Sequence, residues 1–210
     1  MSYYSEIEYK KKKTDELWFE KLYFDRWFKN CSGPILDIGC SAGNFLAVAP
    51  EIIEGIDLDD EALEIALARG LKVKKVDIES GMKNIENEYY AAIYAKHVLE
   101  HLDKPLEFLR EIKRILKPGG RAIISTPNCP YMLNKNFWDD YTHKRPFTRQ
   151  SLKMIAFDAG WFRIKIYEDF RCFPGLGKIM RWFSLSPKLV RDTQSFFGVN
   201  GLSLILELKK

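Results

Sequence analysis

Short apolar runs bounded by glycine, proline or acidic residues alternate along this chain with stretches in which apolar residues return every three or four positions. That alternation predicts strands and helices in turn. Residues 14 to 29 carry Glu16, Glu20, Lys21, Asp25 and Lys29 largely at fourfold spacing, with Trp18, Leu22, Phe24, Trp27 and Phe28 between them, and read as an amphipathic lead-in helix. Ile35 to Leu46 reads as a buried strand running into a glycine-punctuated turn and a helix. A second strand is expected over Ile52 to Asp57, and a helix over Ala62 to Arg69 with Asp59 as its cap and Gly70 as its stop. Val73 to Asp77 and Tyr90 to Tyr94 supply the third and fourth strands. The next helix opens at Asp103 with Pro105 in its first turn, turns Leu106, Leu109, Ile112 and Leu116 inward, and ends at Lys117-Pro118-Gly119-Gly120. Arg121 to Ser125 is the fifth strand. Thr148 caps a helix that buries Leu152, Ile155, Ala156 and Ala159 and stops at Gly160, and Phe162 to Tyr167 and Leu202 to Leu208 are the last two strands.

Strands alternating with helices over short links imply an α/β fold, a doubly wound, mostly parallel seven-stranded sheet. The final two strands lack a comparable intervening helical repeat, so they are expected to form an antiparallel edge pair. At 210 residues the chain is read as a single domain over 1–210. Within it, 1–30 form the helical lead-in, 31–128 the cofactor-binding core, 129–201 the acceptor-side loops, helix and lid, and 202–210 the final strand.

Composition narrows the picture little further. A net charge of +4 is too small to point to a nucleic-acid partner, and none is expected. No apolar run approaches the ~20 residues needed to cross a bilayer and no signal segment is apparent, so a cytoplasmic location is expected. Cys31, Cys40, Cys129 and Cys172 lack paired spacing and are expected as reduced thiols, with no structural metal. The chain is expected as a monomer or weak homodimer.

The chemistry sits in the turns. Asp37, Asp57 and Asp77 end three successive predicted strands, and Gly39-x-Ser41-x-Gly43 follows the first. In open parallel sheets the ligand crevice lies beyond the carboxyl ends of the strands, and an acidic residue about 20 positions past a glycine turn suits a ribose diol. Asp57 is so placed. The turn departs from Gly-x-Gly-x-x-Gly and has no third glycine to bring a helix N-terminus onto a pyrophosphate, which favours an adenosine cofactor without phosphates. Taken singly, Asp37 or Asp77 reads equally well as a turn cap.

From Gly33 to Lys209 the chain resembles the class I S-adenosylmethionine-dependent methyltransferases, in the broad group with ubiquinone-pathway and glycan O-methyltransferases. The resemblance is carried by Ile35 to Phe45, Gly55-Ile56-Asp57-Leu58-Asp59, Val76-Asp77-Ile78, and Ala95 to Leu102 followed by Leu116-Lys117-Pro118-Gly119-Gly120. It implies S-adenosyl-L-methionine as methyl donor. Asp57 would hold the ribose hydroxyls, and Asp77 the adenine amino group. Leu58 and Ile78 would lie beside the adenine, and Asp37, Gly39, Ser41, Gly43 and the Ala95-Lys96-His97 segment would line the rest of the cofactor. Ser41 stands where a glycine is commoner, so its Cβ demands a permitted backbone angle.

Methyl transfer needs alignment more than catalytic side chains, but a hydroxyl acceptor needs a base, and histidine suits neutral pH. His97, His101 and His143 are the three in the chain. His97-Val98-Leu99-Glu100-His101 contains His-x-x-Glu-His, a metalloprotease pattern when it lies on one helix. Ubiquinone-pathway enzymes resemble the chain in placing Glu-x-x-Glu-His here, and some of that group are taken to use a divalent ion. His97 replaces the first glutamate, which weakens the case for magnesium, and no metal ligand is assigned. Asp140, His143, Phe147 and Thr148 resemble the Asp-x-x-His-x-x-x-Phe-Thr pattern of methyltransferases that modify sugars and surface polysaccharides. His143 is the preferred base, oriented by Asp139 or Asp140, with His97 as the second catalytic candidate.

Leu176, Ile179, Met180 and Phe183 form an apolar stripe beside Lys178 and Arg181, so residues 174–191 serve core packing, a lid or contact with a membrane surface. The acceptor is expected to be a small molecule, a sugar, a glycan or a lipid-linked group, methylated on oxygen, with nitrogen acceptors left open. The alternatives are a non-catalytic module that binds the cofactor, and a metal-dependent hydrolase using His97 and His101.

Overall fold

The computed structural model describes residues 17–80, 82–129, 137–169 and 203–210. Seven strands form one sheet: β1 (Ile35–Ile38), β2 (Ile53–Asp57), β3 (Val73–Lys75), β4 (Tyr90–Lys96), β5 (Leu116–Pro127), β6 (Arg163–Glu168) and β7 (Ser203–Lys209), in the order β3-β2-β1-β4-β5-β7-β6. The first five are parallel, and β7 runs antiparallel between β5 and β6. The expected α/β sheet with its antiparallel pair is therefore present.

Among the described residues, four α-helices flank the sheet: α1 (Leu17–Trp27), α2 (Asp60–Ala68), α3 (Pro105–Ile115) and α4 (Arg149–Asp158). Alternate strand residues face opposite layers. Leu36, Ile38, Ile93 and Ala95 join the core beneath α3 and α4, while Ile35, Ala92 and Tyr94 join the one beneath α1 and α2. On the second face, Phe28, Phe45 and Tyr94 pack ring against ring, with centroids 4.4 to 5.8 Å apart. These contacts seat α1 over the middle of the sheet.

Capping follows the sequence closely. Asp59 accepts from the backbone N–H of Glu61 and Ala62 at the start of α2, and Gly70 is left-handed after its end. Thr148 and Ser151 form a reciprocal capping box on α4.

Several expectations are corrected. The helix expected after Gly43 is only a 3₁₀ turn, Leu46–Val48. Ser41 and Gly43 are both left-handed, which postpones any helical start, and Pro50 biases Ala49 away from helical angles. Too few residues remain between them. Strand β3 ends at Lys75, so Asp77 lies two residues beyond it, and α3 starts at Pro105, two residues later than Asp103, with Lys104 at its cap. Its buried face comprises Phe108, Leu109, Ile112 and Ile115, and Leu116 already belongs to β5. Lys117 to Gly120 bulge out of β5 opposite Ala91, with Gly119 left-handed. Residues 174–191, with the question of lid or core, lie outside the described residues, as do Cys172 and residues 1–16.

Among the described residues no helix is long and apolar enough to cross a membrane. The Asp59 cap gives a direct test of this architecture. Asp59→Ala should cost about 1 kcal/mol in urea unfolding without a change in slope, because two amides at the start of α2 lose their acceptor.

Candidate functional site

Strand β1 leads outward through β2 to β3 on one side, while β4 and β5 lie on the other. The order therefore reverses between β1 and β4, the point at which a crevice opens above the carboxyl ends of parallel strands. Gly39 to Gly43 follow β1 at this edge, Asp57 closes β2, and His97 follows β4.

The first turn is tightly built. Gly39 has φ +73°, and a Cβ on it would lie 2.6 Å from Val98 Cγ2, so the turn after β1 abuts the segment after β4. Gly43 is similarly constrained, with φ +77° and Leu71 Cδ1 2.5 Å from where its Cβ would stand. Ser41 adopts φ +47°, a glycine-like angle that costs a side-chain-bearing residue about 1–2 kcal/mol. Its backbone N–H donates to Asp57 Oδ2 at 2.7 Å, which links the turn to β2.

Asp57 is already engaged on both oxygens, since Oδ1 accepts from the N–H of Leu58 and of Asp59. Asp37 is buried within β1. Leu58 is exposed beside Asp57, and Ile78 is half-buried against the core. Asp77 makes the local turn that its sequence equally allowed: Ser80 Oγ donates to Oδ2 at 2.7 Å and Glu79 N–H to Oδ1 at 3.0 Å. Those donors, the Ser80 hydroxyl first, hold its carboxyl below the usual range. The buried Cys40 thiol is pushed far up by desolvation and then by Asp37 and Asp57, so it is not a nucleophile.

The segment after β4 is unusual. His97 is left-handed at φ +53°, its N–H donates to Ser125 O, and its Nδ1 lies 3.1 Å from Glu100 Oε1. Glu100 is fully buried, and its Oε2 has no hydrogen-bond partner. Leu99–His101 is a short 3₁₀ turn, so His97 and His101 do not share a helical face and the protease pattern is absent.

The loop before α4 docks onto this segment. Lys144 N–H and Arg145 N–H both donate to Glu100 O, Lys144 Nζ pairs with Asp103, and Thr142 Oγ1 lies 2.9 Å from His101 Nδ1. His143 Nδ1 donates to Phe137 O at 2.6 Å, and its Nε2 is 3.4 Å from Asp140 Oδ2. The fold thus brings together His101 and His143, with ring centroids 4.7 Å apart, and places Asp140 beside His143. Asp139 makes no described contact with that ring.

Sequence reasoning missed a second group. Lys96 Nζ lies 3.3 Å from Glu20 Oε1 and 5.6 Å from the Tyr23 ring, so α1 reaches the end of β4. Glu20 Oε2, Tyr23 Oη and Tyr94 Oη are buried without hydrogen-bond partners. Glu20 and Tyr23 fit the period of an ordinary amphipathic helix, and only the packing of α1 reveals a polar lining. Trp138 and Tyr141 stand exposed on the His143 loop.

Residues 11–164 match the family described as a methyltransferase domain. The chain belongs to that family. A structure of an S-adenosylmethionine-dependent methyltransferase from Archaeoglobus fulgidus superposes with a TM-score of 0.75 at 25% identity, covering 100% of both chains. A Thermotoga maritima structure described as a possible histamine N-methyltransferase superposes at 0.68 with 20% identity over 93% of this chain and 90% of that chain, a likeness of fold alone. The ubiquinone biosynthesis O-methyltransferase of Nitrosospira multiformis is 31% identical over 115 residues, 50% of this chain and 48% of that protein. The chain thus spans about half the length of the curated relatives it matches.

The turn after β1 is the most exacting part of the site. Gly39→Ala introduces both a left-handed alanine and a contact at 2.6 Å with Val98, and should lower stability by about 2 kcal/mol in denaturant titration. An unchanged midpoint would mean that this turn does not bear on the end of β4.

Proposed function

We propose that this methyltransferase moves a methyl group from S-adenosyl-L-methionine to an oxygen of a small-molecule, sugar or glycan-type acceptor. The observation that carries the oxygen assignment is His97, set at the end of β4 with Nδ1 against a buried carboxylate. A carboxylate accepts, so Nδ1 donates and Nε2 keeps its lone pair for an acceptor proton.

His97 replaces His143 as the preferred base because its side chain is 42% exposed, against 12% for His143. The buried Glu100 fixes the ring and stabilises the imidazolium that forms when the proton arrives.

The cofactor would lie across the carboxyl ends of β1, β2 and β4. Asp57 accepts from the ribose hydroxyls, one of which competes with Ser41 N–H for Oδ2. Leu58 and Ile78 give the adenine apolar contact, and Asp77 has acceptor capacity left for its amino group. The methionine end passes Asp37, Gly39, Ser41, Gly43 and Ala95-Lys96-His97. The unpartnered Glu20 oxygen and Tyr23 hydroxyl would meet its ammonium group, which makes residues 17–27 part of the site rather than a lead-in. Exposed Trp138 and Tyr141 suit stacking on a sugar face.

Two measurements test this reading. Calorimetry with S-adenosylhomocysteine should show binding that Asp57→Ala weakens at least tenfold, with no binding of NAD; NAD binding in its place would overturn the assignment. Against sugar and phenol acceptors, His97→Ala should lower kcat by about 10²–10⁴. An equal kcat in the variant would remove His97 from the chemistry.

A further inference from the structure

We propose that the corner of the sheet where β5 and β6 begin and β7 ends is a docking surface for an anionic lipid bilayer. It joins a row of cations to a pair of exposed aromatic rings. Arg121 lies level with Ala92 of β4 and, through it, with Ile35 at the start of β1, so this corner is at the opposite edge of the sheet from the glycine turn.

The row follows from strand register. Arg121 of β5 and Arg163 of β6 both pair with Lys209 of β7, which sets three cationic side chains side by side on one face. Side chains paired in this way stand about 5 Å apart, and like charges so placed repel. Lys165, two residues along β6, adds a fourth cation on that face. The counter-charge is small: Glu207 lies 3.5 Å from Lys209 Nζ through Oε1, and its Oε2 accepts from Tyr167 Oη. Among the described residues, no carboxylate pairs with Arg121, Arg163 or Lys165. An array of phosphates would offset this repulsion.

The aromatic part adjoins the row. Phe162, directly before Arg163, is 79% exposed, and Phe157 near the end of α4 is 60% exposed, with Met154 bare beside it on the same helix. The two rings meet edge to face with centroids 6.0 Å apart. Lys113 Nζ stands 5.6 Å from the centre of the Phe162 ring, and Lys153 is exposed one turn before Phe157. Exposed apolar groups rimmed by cations match the boundary between headgroups and acyl chains, where rings enter the apolar layer and cations meet lipid phosphates.

Charge and ring geometry select the occupant. A second copy of the chain would set one basic row against another. A single-stranded nucleic acid stacks its bases on open ring faces, whereas Lys113 stands over Phe162 and the rings already engage each other edge to face. Acyl chains need only exposed apolar surface. Docking here turns the cofactor edge away from the bilayer, so the acceptor reaches the site from the aqueous side. The proposal does not rest on the methyl-transfer reading.

The test is flotation of the full-length protein with vesicles containing phosphatidylglycerol, with pure phosphatidylcholine vesicles as control. The protein should float with the anionic vesicles alone, and added salt should release it. Arg163→Gln combined with Lys165→Gln should weaken binding about 25-fold, each lost cation accounting for about fivefold. Phe162→Ser should weaken it by about fivefold or more. Urea midpoints near that of the wild type report that the variants are folded. S-adenosylhomocysteine affinity, measured separately, tests the methyl-transfer reading without bearing on this one. Absence of binding to anionic vesicles, equal binding to neutral ones, or binding unchanged in both variants overturns the proposal. With vesicles unbound, a dimer or a poly(U) complex that Phe162→Ser abolishes reassigns the surface to a second copy or to nucleic acid.

Discussion

Strand β1 is hydrogen-bonded on both sides, in register with β2 through Ile35 and Ile53 and with β4 through Ile35 and Ala92. Both pairings are parallel, so the carboxyl ends of all three strands open at one edge. The glycine turn after β1, the carboxylate ending β2 and the histidine segment following β4 are all attached there. Parallel strands of this kind must be covered on both faces, and the two apolar layers beneath α1/α2 and α3/α4 do so.

Strain at that edge is held by packing and hydrogen bonds. Ser41 and His97 carry side chains yet sit in left-handed conformations. Ser41 is held through its N–H to Asp57, and His97 through its N–H to Ser125 O and its ring to Glu100. Residues in such conformations persist when the surrounding structure over-determines them, and they gather at sites where a ligand or a proton must be met at a set angle. Here the two lie on either side of the point where the sheet order reverses.

The loop ahead of α4 adds what the sheet edge lacks. Its backbone donates twice to Glu100 O, its Thr142 meets His101, and its His143 stacks near both His101 and Phe137. Two segments more than 40 residues apart thus share one cluster of polar side chains.

The sequence by itself determined the alternation of strands and helices, the glycine turn with its following acidic residue, and the caps at Asp59 and Thr148. These are local or periodic signals, each carried by residues close in the chain. Lengths were harder to read: the helix expected after Gly43 shrank to a turn because left-handed Ser41 and Gly43 and the restraint from Pro50 act together over a few residues. Asp77 was legible as an acidic turn residue, but whether its oxygens face a neighbour or a ligand depended on Ser80 and Glu79. Only the tertiary structure decided that α1 contributes Glu20 and Tyr23 to the sheet edge. It alone decided that Glu100 is buried with one oxygen unpartnered, and that His101 and His143 meet. Such facts come from segments distant in sequence, and nothing in the periodicity of one segment records the hydrogen bonds or burial that another will impose on it.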